Sequence, residues 1–131
     1  LQSSGHGPQQ PIDISFENNV PFITKDLKNW KTQREELYNN IQVLPGTKVV
    51  ARGTQGQRKA VIAWANEYHG ARVFSTSLGH NNVTVADPRY LNFVTRGILW
   101  ATKNESWSIA QPKNETFSLN SKPAPNSNKK K

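Results

Sequence analysis

Two apolar runs followed by one capped helix set the limits on what this chain can fold into. Ala60-Val61-Ile62-Ala63-Trp64 is an almost continuous apolar stretch, the pattern of a strand covered on both faces, and it predicts a central strand. Arg72-Val73-Phe74-Ser75-Thr76-Ser77-Leu78 reads as a second strand. Tyr68-His69-Gly70-Ala71 supplies turn residues between them, so an antiparallel hairpin with a link of about five residues is expected. Asp87-Pro88 then offers the favoured start of a helix, an N-cap aspartate with proline at the first helical position. No further proline interrupts residues 88–102. On a helical wheel Tyr90, Leu91, Val94, Ile98 and Leu99 share one face, with Phe93 and Trp100 on the other side beside Gly97. A helix apolar on two sides is expected to be buried on two sides, against a sheet and against another layer.

The rest of the chain is thinner in signal. Pro11 to Glu17 alternates apolar and polar, the period of a half-buried strand, and Lys48 to Arg52 reads as another. Glu35 to Asn39 is expected as a short strand, Gly53 to Lys59 as a polar connection and Leu1 to Gln10 as a loop. Residues 1–102 form the expected domain. From Lys103 the composition shifts to Asn, Ser, Lys and Pro, which cannot bury enough apolar surface to offset ordering entropy, so residues 103–131 are expected to be a basic, disordered tail. That tail holds six of the lysines and two acids, half of the net charge of +8. With the other basic groups scattered, nucleic acid is not an expected partner.

Several chemistries are excluded outright. Without cysteine there is no disulfide, no thiolate metal site and no cysteine nucleophile. No run of 18 apolar residues occurs, so no membrane span is expected. No Walker loop, His-x-x-x-His pair or Gly-x-Ser-x-Gly elbow is present. The chain also lacks methionine, even at position 1, which suggests a processed chain or a piece of a longer one.

The residues left to carry chemistry are few. His80 follows directly on a strand, after Gly79, where open α/β sheets place their ligands. A histidine there can act as general acid or base, or bind a metal. His6 sits between two glycines, and His69 in a turn reads as solvated. In Glu35-Glu36-Leu37-Tyr38, a strand would point Glu36 and Tyr38 to one face and Glu35 and Leu37 to the other. A carboxylate beside a phenol could bind sugar hydroxyls or orient a histidine. The plainer alternative is an exposed charged pair.

Six strings in order then carry a family resemblance. Arg72 to Asn82, Ala86-Asp87-Pro88-Arg89-Tyr90-Leu91 and Val94 to Ala101 closely resemble the C-terminal half of the ThuA-like (trehalose-utilisation) family. Glu35-Glu36-Leu37-Tyr38 is similar to that family's Asp-Glu-Leu-Tyr segment, with Glu for Asp, and Pro21 to Leu27 and Gly5-His6-Gly7 resemble further segments. The resemblance implies an α/β fold: part of a flavodoxin-like, class I glutamine-amidotransferase-like three-layer domain whose N-terminal strands are missing here. It implies His80 and Glu36 as catalytic residues, and His6, Tyr38 and Asn81 as substrate-binding residues. No cofactor is implied, and a divalent metal held by two histidines and a carboxylate is the weaker variant of the same site. The implied partner is a small carbohydrate, and a half-domain's exposed sheet edge is where self-association is expected.

Two functions follow. One is a sugar-metabolising enzyme acting on trehalose-type disaccharides or their oxidised derivatives. The other is a non-catalytic carbohydrate-binding or interaction module of a larger protein. Convergence of His6, Glu36 and His80 within hydrogen-bond reach favours the enzyme, and dispersal favours the module.

Overall fold

Residues 4–107 are described by the computed structural model of the chain. In chain order they form β1 (Gly5–His6), β2 (Asp13–Phe16), α1 (Pro21–Thr24), β3 (Trp30–Lys31), β4 (Tyr38–Asn39), β5 (Lys48–Gln55), β6 (Arg58–Tyr68), β7 (Ala71–Thr76), α2 (Asn82–Val85) and α3 (Pro88–Ala101). Five strands make one sheet in the order β3-β2-β5-β6-β7, and β1 pairs with β4 in a second, two-stranded sheet. Each of these pairings is antiparallel. The architecture is α/β, with α3 laid along the strand-rich sheet.

The predicted apolar strand lies inside β6, flanked by β5 on one side and β7 on the other. The hairpin to β7 is tighter than its composition suggests, because pairing runs through to Tyr68 and Ala71. His69 (φ 47°) and Gly70 (φ 81°) form a two-residue turn with both residues left-handed, the twist that suits a tight hairpin. The polar connection expected at Gly53 to Lys59 is mostly strand: Gly53, Thr54 and Gln55 pair with Ala60, Lys59 and Arg58. Ladder hydrogen bonds between β5 and β6 override local polarity there, since side-chain composition says little about a backbone already paired across a hairpin.

The start of the chain also departs from expectation. Gly5 and His6 pair with Asn39 and Tyr38, and Gln10 bridges to Glu35. A two-residue strand has no periodicity to reveal it, so this long-range pairing leaves no local signal. The short strand expected over Glu35 to Asn39 narrows to β4, with Glu35 held by its backbone to Gln10.

Helix α3 begins as its sequence dictates: the Asp87 side chain accepts from the Arg89 N–H at 2.9 Å, and Pro88 occupies the first turn. The sequence predicts burial of α3 on two sides, and among the helix's apolar residues the side of Phe93 and Trp100 is the one most fully covered. Phe93, Gly97 and Trp100 are buried along with Leu99, whereas Leu91 and Ile98 are exposed. The aromatic side carries more apolar area, and Phe93 packs edge-on against both Phe16 (5.2 Å) and Phe74 (5.3 Å). Gly97 allows this approach, because a Cβ there would collide with the Phe74 ring. Arginines lash the helix down: Arg72 donates to the Trp100 carbonyl at 3.1 Å, and Arg96 to the Lys25 carbonyl at 2.6 Å. Of the expected tail, Arg72 pairs with Glu105, and Trp107 is exposed. Residues 1–3 and 108–131, the latter most of the tail expected to be disordered from 103 onward, lie outside the described residues.

Candidate functional site

Glu36 is the centre of the site. It precedes β4, and the β1–β4 pairing sets His6 directly across from Tyr38. His80 arrives from the other direction, four residues beyond β7. The three segments meet on one carboxylate. His80 Nε2 lies 3.4 Å from Glu36 Oε1, and His6 Nδ1 lies 3.5 Å from Oε2. The Tyr38 hydroxyl donates to Oε2 at 3.2 Å, and the Gln9 amide donates to Oε1 at 3.3 Å. The Tyr38 and His6 rings are 5.3 Å apart. Sequence spacing pointed Glu36 and Tyr38 to one face, and their hydrogen bond shows it.

The exposed charged pair that the sequence allowed is not present: Glu35 is 0% exposed and Glu36 8%. The imidazoles of His6 and His80 are the half-exposed members, at 45% and 44%. The arrangement is a buried carboxylate with two reachable rings above it. Partial burial pushes the Glu36 carboxyl up, but the Gln9 amide, the two imidazoles and the Tyr38 hydroxyl outweigh that and hold its pKa below the ordinary value. Burial raises the Tyr38 phenol, helped by its hydrogen bond to Glu36 and by the charges of Glu36 and Glu35. At neutral pH the site therefore holds an ionised carboxylate and a neutral phenol. The His6 Nδ1 also faces the Gly7 carbonyl at 2.9 Å. A carbonyl only accepts, so in this contact His6 Nδ1 is the donor.

The loop before α2 is shaped by Gly79, whose φ of 108° is open to few other residues. A Cβ at Gly79 would lie 2.5 Å from the Tyr90 hydroxyl, which donates to the Leu78 carbonyl at 3.2 Å. Asn81 sits at the end of this loop. Its side-chain oxygen accepts from the Val83 N–H at 2.9 Å and caps α2, an element the sequence reading did not resolve.

A cleft of about 530 Å³ opens beside the cluster, lined by Tyr38 and His80 and continuing over Ile41, Trp64, Thr76 and Ser77. The Ser77 hydroxyl oxygen is buried without a hydrogen-bond partner. Trp64, Ser77 and Gln9 were not singled out from the sequence. Trp64 reads there as part of an apolar strand, Ser77 as one of many serines, and Gln9 as loop. Among the described residues no set of three His, Asp or Glu side chains is arranged to hold a metal ion. His69 is exposed in its turn, stacked edge-on to Tyr68 at 4.3 Å, away from this cluster in the fold. No helix among the described residues is long and apolar enough to cross a membrane.

Comparison with known proteins agrees with the fold. A solved structure of a ThuA-like protein from Parabacteroides merdae ATCC 43184 superposes with a TM-score of 0.64 at 21% identity. The match covers 78% of this chain and 42% of that protein, so the chain spans less than half of its neighbour's length. No curated protein matches the chain. The model of the ThuA family, described as trehalose utilisation, matches residues 2–101. The chain belongs to the ThuA family.

Proposed function

We propose that the chain provides the acid–base centre and part of the sugar cleft of an enzyme acting on trehalose-type disaccharides or their oxidised derivatives. The observation that carries this reading is the shared carboxylate: each oxygen of Glu36 faces a different imidazole, at the edge of a cleft with aromatic and hydroxyl walls. In this role His80 takes or gives the proton, and Glu36 orients its ring and balances its charge when protonated. His6 closes the other side of the carboxylate. Tyr38 and Trp64 line the cleft and give a sugar aromatic surface to pack on. The convergence of His6, Glu36 and His80 supports the enzyme over a non-catalytic carbohydrate-binding module, which has no need for two imidazoles on one buried carboxylate.

The test is turnover and binding of trehalose-type disaccharides, native and oxidised, by the full chain and by His80→Ala. General acid–base catalysis contributes about 10²–10⁴-fold, so the variant should lose turnover by that order while sugar still saturates the cleft. Saturable binding without turnover in the unaltered protein would support the module instead.

A further inference from the structure

Glu35, next to the proposed catalytic centre, takes no part in it, yet its carboxylate is 0% exposed. A buried carboxylate is costly unless fully hydrogen-bonded. Here Oε1 accepts from the Glu36 N–H at 3.0 Å and from the His80 N–H at 3.2 Å. Oε2 accepts from the Gly79 N–H at 3.3 Å and from the Asn81 N–H at 3.5 Å. The Glu35 backbone in turn exchanges hydrogen bonds with Gln10 at 3.0 and 3.1 Å. One residue thus joins the three segments that surround Glu36: the N-terminal segment carrying His6 and Gln9, the segment before β4, and the loop carrying His80. It does so with four backbone donors, which are thereby occupied and not free to stabilise a substrate oxyanion.

We propose that Glu35 is a positioning residue, whose buried carboxylate holds the Gly79–Asn81 loop so that the His80 imidazole stays on the Glu36 carboxylate. Glu35 does not touch the cleft, so it acts through His80 and Glu36. A glutamine in its place keeps the shape but turns one oxygen into a donor facing backbone donors, and the loop should release. The effect on turnover rests on the sugar-enzyme reading; the placement of His80 is tested without any substrate.

The experiment is an NMR titration of the Glu36 side-chain carboxyl in the full chain, with Glu35→Gln, His80→Ala and the double variant. Gln9, His6, His80 and Tyr38 are the groups facing that carboxyl. Removing His80 takes away a favourable charge, so the Glu36 pKa should rise. If Glu35 positions His80, Glu35→Gln should raise it as well, and His80→Ala should add little in that background. Loss of a neighbouring negative charge alone does the opposite and lowers the Glu36 pKa. A lowered or unchanged Glu36 titration in a folded Glu35→Gln protein would therefore overturn the proposal and leave Glu35 a staple of the fold. Should that variant not fold, Glu35→Asp is titrated in its place, because it keeps the charge but shortens the reach; the same rise is expected and its absence is equally decisive. A protein that behaves as expected in the titration but turns over no sugar would overturn the enzyme reading alone.

Discussion

The Phe74 ring of β7 fills the space that a side chain at Gly97 of α3 would need, so the helix and the edge strand approach as closely as backbone and ring allow. Gly97→Ala should therefore destabilise the fold even though alanine is the better helix former by about 1 kcal/mol. Forcing a methyl into a filled contact costs about 1–3 kcal/mol, and urea unfolding should show the net loss. An alanine variant as stable as the parent would mean that α3 does not lie against Phe74.

Which side of α3 is buried can be read from two truncations. Phe93 is 1% exposed between Phe16 and Phe74, and Phe93→Ala should cost about 3–5 kcal/mol. Ile98 is 55% exposed, and Ile98→Ala should stay within about 0.5 kcal/mol. The reverse ranking would mean that the Leu91 and Ile98 side, not the Phe93 side, faces the core.

The loop that carries His80 has its own internal control. Gly79→Ala adds a Cβ at positive φ and 2.5 Å from the Tyr90 hydroxyl. It should displace the loop and weaken sugar binding with little change in helix content. Tyr90→Phe in the same chain removes the clashing oxygen and should recover part of the loss, the part not due to backbone strain. If Tyr90→Phe recovers nothing, the clash is not the cause.

Acid should weaken the fold through two carboxyls. Asp87 is held below its ordinary pKa by the Arg89 side chain first, against partial burial, and Glu36 is held below its own despite burial. A depressed folded pKa contributes stability that is present above the unfolded value and lost as pH falls through the folded one. Thermal midpoints should therefore drop from about pH 4 downward, where unfolded Asp and Glu carboxyls begin to titrate. Asp87→Ala should lower stability by about 1 kcal/mol at neutral pH through loss of the cap, and flatten part of the acid slope. An acid profile identical to the parent's would contradict the capping account.

How much of this was readable from residue order depends on distance along the chain. Asp87-Pro88 announced α3 to within a residue of its observed end, because capping is local chemistry. The β6 and β7 runs were also legible, since apolar pattern and turn residues lie side by side. The buried face of α3 was not, because both sides of the wheel are apolar and only the partner, Phe74, decides between them. The pairing of Glu36 with Tyr38 followed from strand alternation. The partners that arrive from afar had no local signature: Gln9 reaches Glu36 across 27 residues, and the Glu35 carboxylate meets the Asn81 N–H across 46. Charge misled at Glu35-Glu36, because two adjacent carboxylates read as surface until backbone donors from another segment are in place to satisfy one of them.

In the proposed enzyme Glu36, shared by His6 and His80, organises acid–base chemistry on a sugar. The most direct test of this role is Glu36→Gln, which keeps the side chain's shape and removes the charge between the two rings. Turnover of trehalose-type disaccharides or their oxidised derivatives should fall by about 10²-fold or more, with sugar binding largely retained. A glutamine variant that turns over these sugars at the parent rate would contradict that role.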